Sequence, residues 1–238
     1  LAEGYVAPTV ATITNIEALS LSTSGTSSAT LTTANFGTSV NSVTFAAATG
    51  TAGAYGVTGP ASALTVNVKS ATTGLSGTLT LTDTGTGITD SATLANTYTG
   101  GGLNEFNGQA VSSVGYETLT IKTGTSAANT TTQTLGAVTI TPDSGGSTKL
   151  VVSGANSLTT TAVTANVIDA SGLTGTATFT NTSASGATTI TGGLNGDTLV
   201  GSSTATYIDG GAGNDNITGG AGNDTIIGGA DNDSISGA

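Results

Sequence analysis

The chain has 238 residues, a formal net charge of −11 and three cations, Lys69, Lys122 and Lys149, with no His and no Cys. With no Arg either, it lacks a phosphate-gripping surface, so nucleic acid is excluded as a partner; disulfides, thiolate metal sites, an HExxH zinc site, a Ser-His-Asp relay and a Cys nucleophile are excluded too. A hydrophobic fraction of 36% predicts a folded chain, while an aromatic fraction of 4% denies it a thick core, so a thin core repeated many times is the fitting architecture.

In chain order, alternation of apolar and polar residues predicts strands at LTVNV (64 to 68), TLTLT (78 to 82), TLTIK (118 to 122), AVTIT (137 to 141), KLVVS (149 to 153), AVTANVI (162 to 168) and TATFT (176 to 180). Helical periodicity is hard to find. The phrase NIEALSLST (15 to 23) returns one hundred residues later as GYETLTIKT (115 to 123), a candidate internal duplication. For residues 1 to about 110 the pattern fits a parallel solenoid and an immunoglobulin-like sandwich nearly equally, the latter joined by turns such as DTGTG (83 to 87) and PDSGG (142 to 146). From about residue 115 the strands arrive at a spacing that favours a solenoid. The expected organisation is a β-rich domain over 1–114, a β-solenoid over 115–182 and a nonapeptide β-roll over 183–238.

From Gly192 the chain divides into blocks of nine: GGLNGDTLV, GSSTATYID, GGAGNDNIT, GGAGNDTII, GGADNDSIS, then GA. One block earlier, SASGATTIT (183 to 191) keeps the glycine at Gly186 and the apolar residue at Ile190 but has no Asp. Each block pairs a six-residue turn with a three-residue strand centred on Leu199, Ile208, Ile217, Ile226 or Ile235. Two blocks make one coil, which places Asp197, Asp215 and Asp233 on one edge, with Thr206 and Asp224 on the other. Stacked strands lie about 4.8 Å apart, nearly twice a calcium–oxygen bond of about 2.3 to 2.6 Å, so one Ca2+ fits between carboxylates of successive turns. Turns without Cβ atoms let backbone carbonyls complete the shell. On the structural side, Asp and Asn in glycine turns also bond their own backbone.

These blocks resemble the RTX (repeat-in-toxin) nonapeptide, whose fold is a calcium-binding β-roll. The resemblance implies metal ligands at Asp197, Asp215, Asp224 and Asp233, completed by carbonyls of Gly210, Gly211, Ala212 and Gly213. Departures fall at Asn195 and Asp231, where the repeat has its fourth-position Gly, and at Thr206, where it has Asp. Two complete sites are expected, between the turns of Asp197 and Asp215 and between those of Asp215 and Asp233. A partner for Asp224 on its own edge would lie 18 residues on, past Ala238.

NIEALSLST, GYETLTIKT and VIDASGLTGTATFTNTSASGATTITGG (167 to 193), with the Thr/Ser/Ala/Gly bias and the absence of Cys, resemble calcium-dependent surface-layer proteins of Gram-negative bacteria and large RTX surface proteins. That resemblance implies a secreted structural protein, assembling as a homo-oligomeric two-dimensional lattice on the cell surface, with the cell envelope or a surface glycan as further partner. The alternative is an accessory calcium module of a secreted adhesin or enzyme. A glycosidase-like carboxylate pair drawn from Asp83, Asp90, Glu105, Glu117 or Asp143 is the one catalytic arrangement the composition leaves, and no enzyme is expected. Ice binding ranks third, because TLTLT and TTITG do not recur at one period. No apolar stretch is long enough to span a membrane as a helix, and no signal-like region opens the chain, so a processed product or fragment is expected.

Overall fold

A computed structural model describes residues 18–24, 29–32, 40–49, 52–59, 63–69, 76–85, 89–97, 104, 106–124, 131–143 and 145–237. The described residues form twenty strands and no helix. One parallel sheet contains, in spatial order, β1 (Ala18–Ser24), β3 (Ser42–Thr49), β5 (Ala63–Lys69), β7 (Ser91–Asn96), β9 (Thr118–Lys122), β11 (Lys149–Gly154), β13 (Val167–Leu173), β15 (Thr188–Thr191), β17 (Thr206–Asp209) and β19 (Thr225–Ile227). The other contains β2 (Ala29–Thr32), β4 (Ala52–Gly59), β6 (Ser76–Asp83), β8 (Gln109–Val114), β10 (Gln133–Thr141), β12 (Leu158–Thr164), β14 (Ala177–Thr180), β16 (Thr198–Val200), β18 (Asn216–Thr218) and β20 (Ser234–Ser236). The chain therefore crosses from sheet to sheet at every turn, and one odd plus one even strand makes a coil of a parallel β-solenoid.

Period-2 alternation turns every second residue inward, and parallel in-register stacking sets like upon like. In the odd sheet one ladder runs Leu64, Ala92, Leu119, Leu150, Ile168, Ile190, Ile208 and Ile226. In the even sheet Phe179, Leu199, Ile217 and Ile235 continue the stack to the last strand. Strands of six to nine residues in the middle of the chain carry two to four buried residues each, whereas β18, β19 and β20 have three residues and one apolar centre. The core thins along the solenoid as the glycine turns take over.

Among the described residues the sandwich alternative for the first 110 residues does not hold: β1 to β8 pair only in parallel and belong to the same two sheets as the nonapeptide strands. The predicted strand AVTANVI is also corrected. It divides between β12 and β13, because Ala165 and Asn166 turn the chain from one sheet to the other. There the Asn166 side chain accepts from the Thr148 N–H at 3.0 Å, tying two coils together. Strands β3, β4, β7 and β8 carry weaker alternation, with Ala, Gly and Ser at many positions, and went unpredicted. Of the two duplicated phrases, 18 to 23 and 118 to 122 fall in equivalent strands of the odd sheet, while residues 15 to 17 lie outside the described residues. The turn phrases DTGTG and PDSGG lie partly outside them, at residues 86–87 and 144, as does Ala238.

Candidate metal centre

Turns leading from odd to even strands place Asp197, Asp215 and Asp233 directly before β16, β18 and β20. Each carboxylate reaches back one coil. Asp215 Oδ1 accepts the Asp197 N–H at 2.7 Å, and Asp233 Oδ1 accepts the Asp215 N–H at 3.0 Å. Asp197 itself is held by two amides, its Oδ1 accepting from Ala177 N–H and its Oδ2 from Gly193 N–H, both at 2.6 Å. The 18-residue step thus joins identical positions through a carboxylate-to-amide bond, the backbone bonding that Asx turns make within one turn.

The second oxygens differ. Asp215 Oδ2 is buried and has no hydrogen-bond partner, an arrangement that is costly for a carboxylate unless a proton or a cation meets it. It lies against Gly210 of its own turn, where a Cβ would stand 2.3 Å from that oxygen and 2.3 Å from the Gly228 carbonyl of the next coil. A Cβ on Gly192 would likewise meet the Gly210 carbonyl at 2.0 Å. Glycine is required there by this close approach, and the space it leaves is lined by oxygen.

Of the other predicted carbonyl donors, Gly211 O accepts the Ala230 N–H at 2.9 Å, and Ala212 lies in a bridge with Ala230. Gly213 holds a left-handed φ of 104° in the same turn. Among the described residues no three His, Cys, Asp or Glu side chains are grouped to hold a metal ion. Calcium takes six to eight oxygens, so a shell here would have to draw on one or two carboxylates and several turn carbonyls. The orphaned Asp215 Oδ2 and the carbonyl-lined glycine cradle fit such an ion.

Electrostatics agree with the geometry. Burial raises the Asp197 carboxyl to about 6, against the lowering effect of the Gly193 and Ala177 amides, and the Asp215 charge adds to the rise. Burial also raises Asp215; the Asp197 amide opposes it, and the charges of Asp233 and Asp209 reinforce it. Asp209, at the end of β17, was not singled out from the sequence because it sits at the ninth position of its block, outside the repeating Asp.

The opposite edge is built otherwise. Asp224 Oδ1 accepts the Thr206 N–H at 3.0 Å, which repeats the carboxylate-to-amide step. At Thr206, however, the Asp is replaced by a hydroxyl cluster: Thr206 Oγ1 lies 3.0 Å from Thr188 Oγ1 and 3.2 Å from Ser202 Oγ. These hydroxyls satisfy one another without a charge. Asn195 and Asp231 also part company: Asp231 takes the left-handed φ of 78°, as Gly222 does at 113° in the preceding block, whereas Asn195 does not. Asn195 instead donates its side-chain amide to Thr174 O.

Of the acids considered for catalysis, Asp83, Asp90 and Glu117 are buried between coils, Asp143 is exposed beside them, and Glu105 lies outside the described residues. No helix among the described residues is long and apolar enough to cross a membrane. No match is found among curated proteins or among solved structures. The family model of the RTX calcium-binding nonapeptide repeat matches residues 209–238 in 4 copies, so the C-terminal coils are a calcium-binding array of the RTX type, a repeat typical of secreted proteins.

Proposed function

We propose that this protein is a structural, calcium-dependent surface-layer protein that folds and assembles into a two-dimensional lattice on the outside of a bacterial cell. The observation that carries the reading is the buried, partnerless Asp215 Oδ2 in a carbonyl-lined glycine cradle at the end of an uninterrupted parallel solenoid. Asp197, Asp215, Asp224 and Asp233 are the proposed carboxylate ligands, with carbonyls of the turn from Gly210 to Gly213. Bound calcium neutralises carboxylates that otherwise repel and holds successive turns together. Ten coils give a stack about 43 Å long at about 4.8 Å per spacing, with two broad faces of small polar residues suited to repeated side-by-side contact. Lateral contacts between copies, and between copies and an envelope glycan, would use these faces. Catalysis has no part in the reading, since the buried carboxylates lie between coils.

Extracellular calcium sites have Kd values of about 0.1 to 1 mM, so about 1 mM calcium adds roughly 0.4 to 1.4 kcal/mol per site by mass action. Cytosolic calcium is far too dilute for this. Titrating calcium while following circular dichroism and light scattering tests the proposal: folding and growth of ordered sheets, visible by electron microscopy, should share one calcium range. A protein that folds with calcium but stays monomeric at high concentration would replace the lattice with an accessory module of a secreted adhesin or enzyme.

A further inference from the structure

A second group of carboxylates lies far from the nonapeptide array, on the edge where even strands turn into odd ones. Asp83 ends β6, Asp90 immediately precedes β7, Gly115 to Glu117 link β8 to β9, and Asp143 follows β10. Register makes the grouping concrete. Ser91 pairs with Thr118, so Asp90 and Glu117 occupy equivalent places in successive coils. Thr82 and Thr141 both pair with Val114, so the chain places Asp83 beside Gly115 from one side and Pro142–Asp143 from the other.

Gly115 is the middle of this sandwich of coils. It has a φ of 84°, and a Cβ there would lie 2.9 Å from Asp143 Oδ1 and 3.0 Å from Asp83 Cβ. Removing the side chain at this one place brings acids from neighbouring coils toward each other across a gap. Glu117 Oε2 accepts the Asp90 N–H at 2.9 Å, which fixes the third acid against the same turn. Burial raises the Asp90 carboxyl, helped by the Asp83 carboxyl beside it and by the charges of Glu117 and Asp143.

Two buried polar atoms here lack partners. Asp83 is 6% exposed; its Oδ1 accepts the Gly85 N–H at 2.8 Å, while its Oδ2 meets no N–H or hydroxyl and has only a protonated Asp90 carboxyl to bond with. Tyr116 is fully buried, its hydroxyl is also unpartnered, and after burial the charges of Asp83 and Asp90 push its pKa further up, so the ring lies within their field. Lys149, which opens β11 beside Thr118, has its ammonium 2.9 Å from Asp169 of β13, an ion pair with an acid outside this group.

We propose that Asp83, Asp90, Glu117 and Asp143 form a further binding site for a hard divalent cation of the calcium class, one that clamps three successive coils of the upstream solenoid. Oxygen donors alone, with net charge well below zero, suit such an ion and no softer one. The four acids do not already ring a common point. Binding would draw them together, with exposed Asp143 the side chain that has room to move. Stacked strands about 4.8 Å apart again match two oxygen–calcium bonds.

The test is calcium counting by equilibrium dialysis on the full chain, with Asp83→Asn, Asp143→Asn and, as the control for the nonapeptide array, Asp215→Asn. Asp83→Asn should bind one ion fewer than the parent, and Asp143→Asn, a surface change that leaves the core intact, should weaken one site at least tenfold. Asp215→Asn should keep the upstream ion, which separates failure of this proposal from failure of the array. Terbium supplies a second readout: excitation of tyrosine should sensitise bound-ion emission, and Tyr116→Phe should lose most of the upstream signal while the ion count stays unchanged. An unchanged count and affinity in Asp143→Asn, or an unchanged count in a folded Asp83→Asn, overturns the site and leaves a proton shared between Asp83 and Asp90.

Discussion

At the scale of single residues, the nonapeptide array separates two roles of one side chain. Asp215 Oδ1 accepts a backbone N–H, and its Oδ2, buried without a partner, is the proposed ligand atom. Asp215→Asn keeps an amide oxygen for the first role and removes the charge needed for the second. It should abolish calcium binding by the turns on both sides, whereas Asp224→Asn, facing a hydroxyl cluster at Thr206, should lose less. Calorimetric titration of the two variants decides this, and equal losses would refute the alternating-edge arrangement. Asp231 offers the opposite kind of change. It holds a φ of 78° where the neighbouring block has glycine, so Asp231→Gly should relieve about 1 kcal/mol of left-handed strain, offset in part by the chain entropy that glycine adds, and raise the thermal midpoint in calcium slightly.

At the scale of strands and turns, the coils differ in what holds them. Around β8 the inward row is interrupted by Ser113, which stacks between Leu81 and Ile140 with its hydroxyl buried and unpartnered. Ser113→Ala removes that hydroxyl without adding volume and should raise stability by about 1 kcal/mol, read from the denaturation midpoint of the upstream coils. From β16 onward one apolar residue per strand leaves the carboxylate turns to set stability. In EDTA, Asp197 has a folded pKa of about 6 against an ordinary 3.8, so the folded form binds the extra proton between those values. Stability of these coils should therefore fall as pH rises from about 4 to 7. Calcium competes for the same carboxylates, so its affinity should rise over that range, and excess calcium should flatten the profile. A chelated C-terminal region equally stable at both ends of the range would remove Asp197 from the account.

At the scale of the whole molecule, the solenoid has no central core whose loss melts everything at once. Each coil meets only its neighbours, so stability is a sum of local terms and can fail locally. At pH 7, where the stabilising proton on Asp197 is lost, chelation should disorder residues from about 190 onward, where six Asp and no Lys lie between 192 and 238, while the apolar ladders of β5 to β13 stay folded. Limited proteolysis with and without EDTA, mapped by mass spectrometry, should place new cleavages in the glycine turns. Cleavage spread evenly along the chain would mean that folding is a single cooperative event.

The residues alone determined most of the C-terminal architecture. A period of nine with one apolar residue and one Asp per block admits few structures, because only an 18-residue coil sets Asp upon Asp and Ile upon Ile. The strands with Val, Ile, Leu and Thr in strict alternation, such as those at 64 to 68 and 149 to 153, were legible for the same reason. What required the tertiary structure was everything carried by pairing across coils. A strand such as QAVSSV owes its place to Leu79 and Leu81 on one side and Val138 and Ile140 on the other, and its own residues hardly announce it. Whether the first hundred residues form hairpins or a solenoid depends on which strand meets which, and alternation is the same in both. The split of AVTANVI at Asn166 depends on Thr148, 18 residues away, and the meeting of Asp83, Asp90, Glu117 and Asp143 depends on coils of unequal length that no fixed period in the sequence reveals.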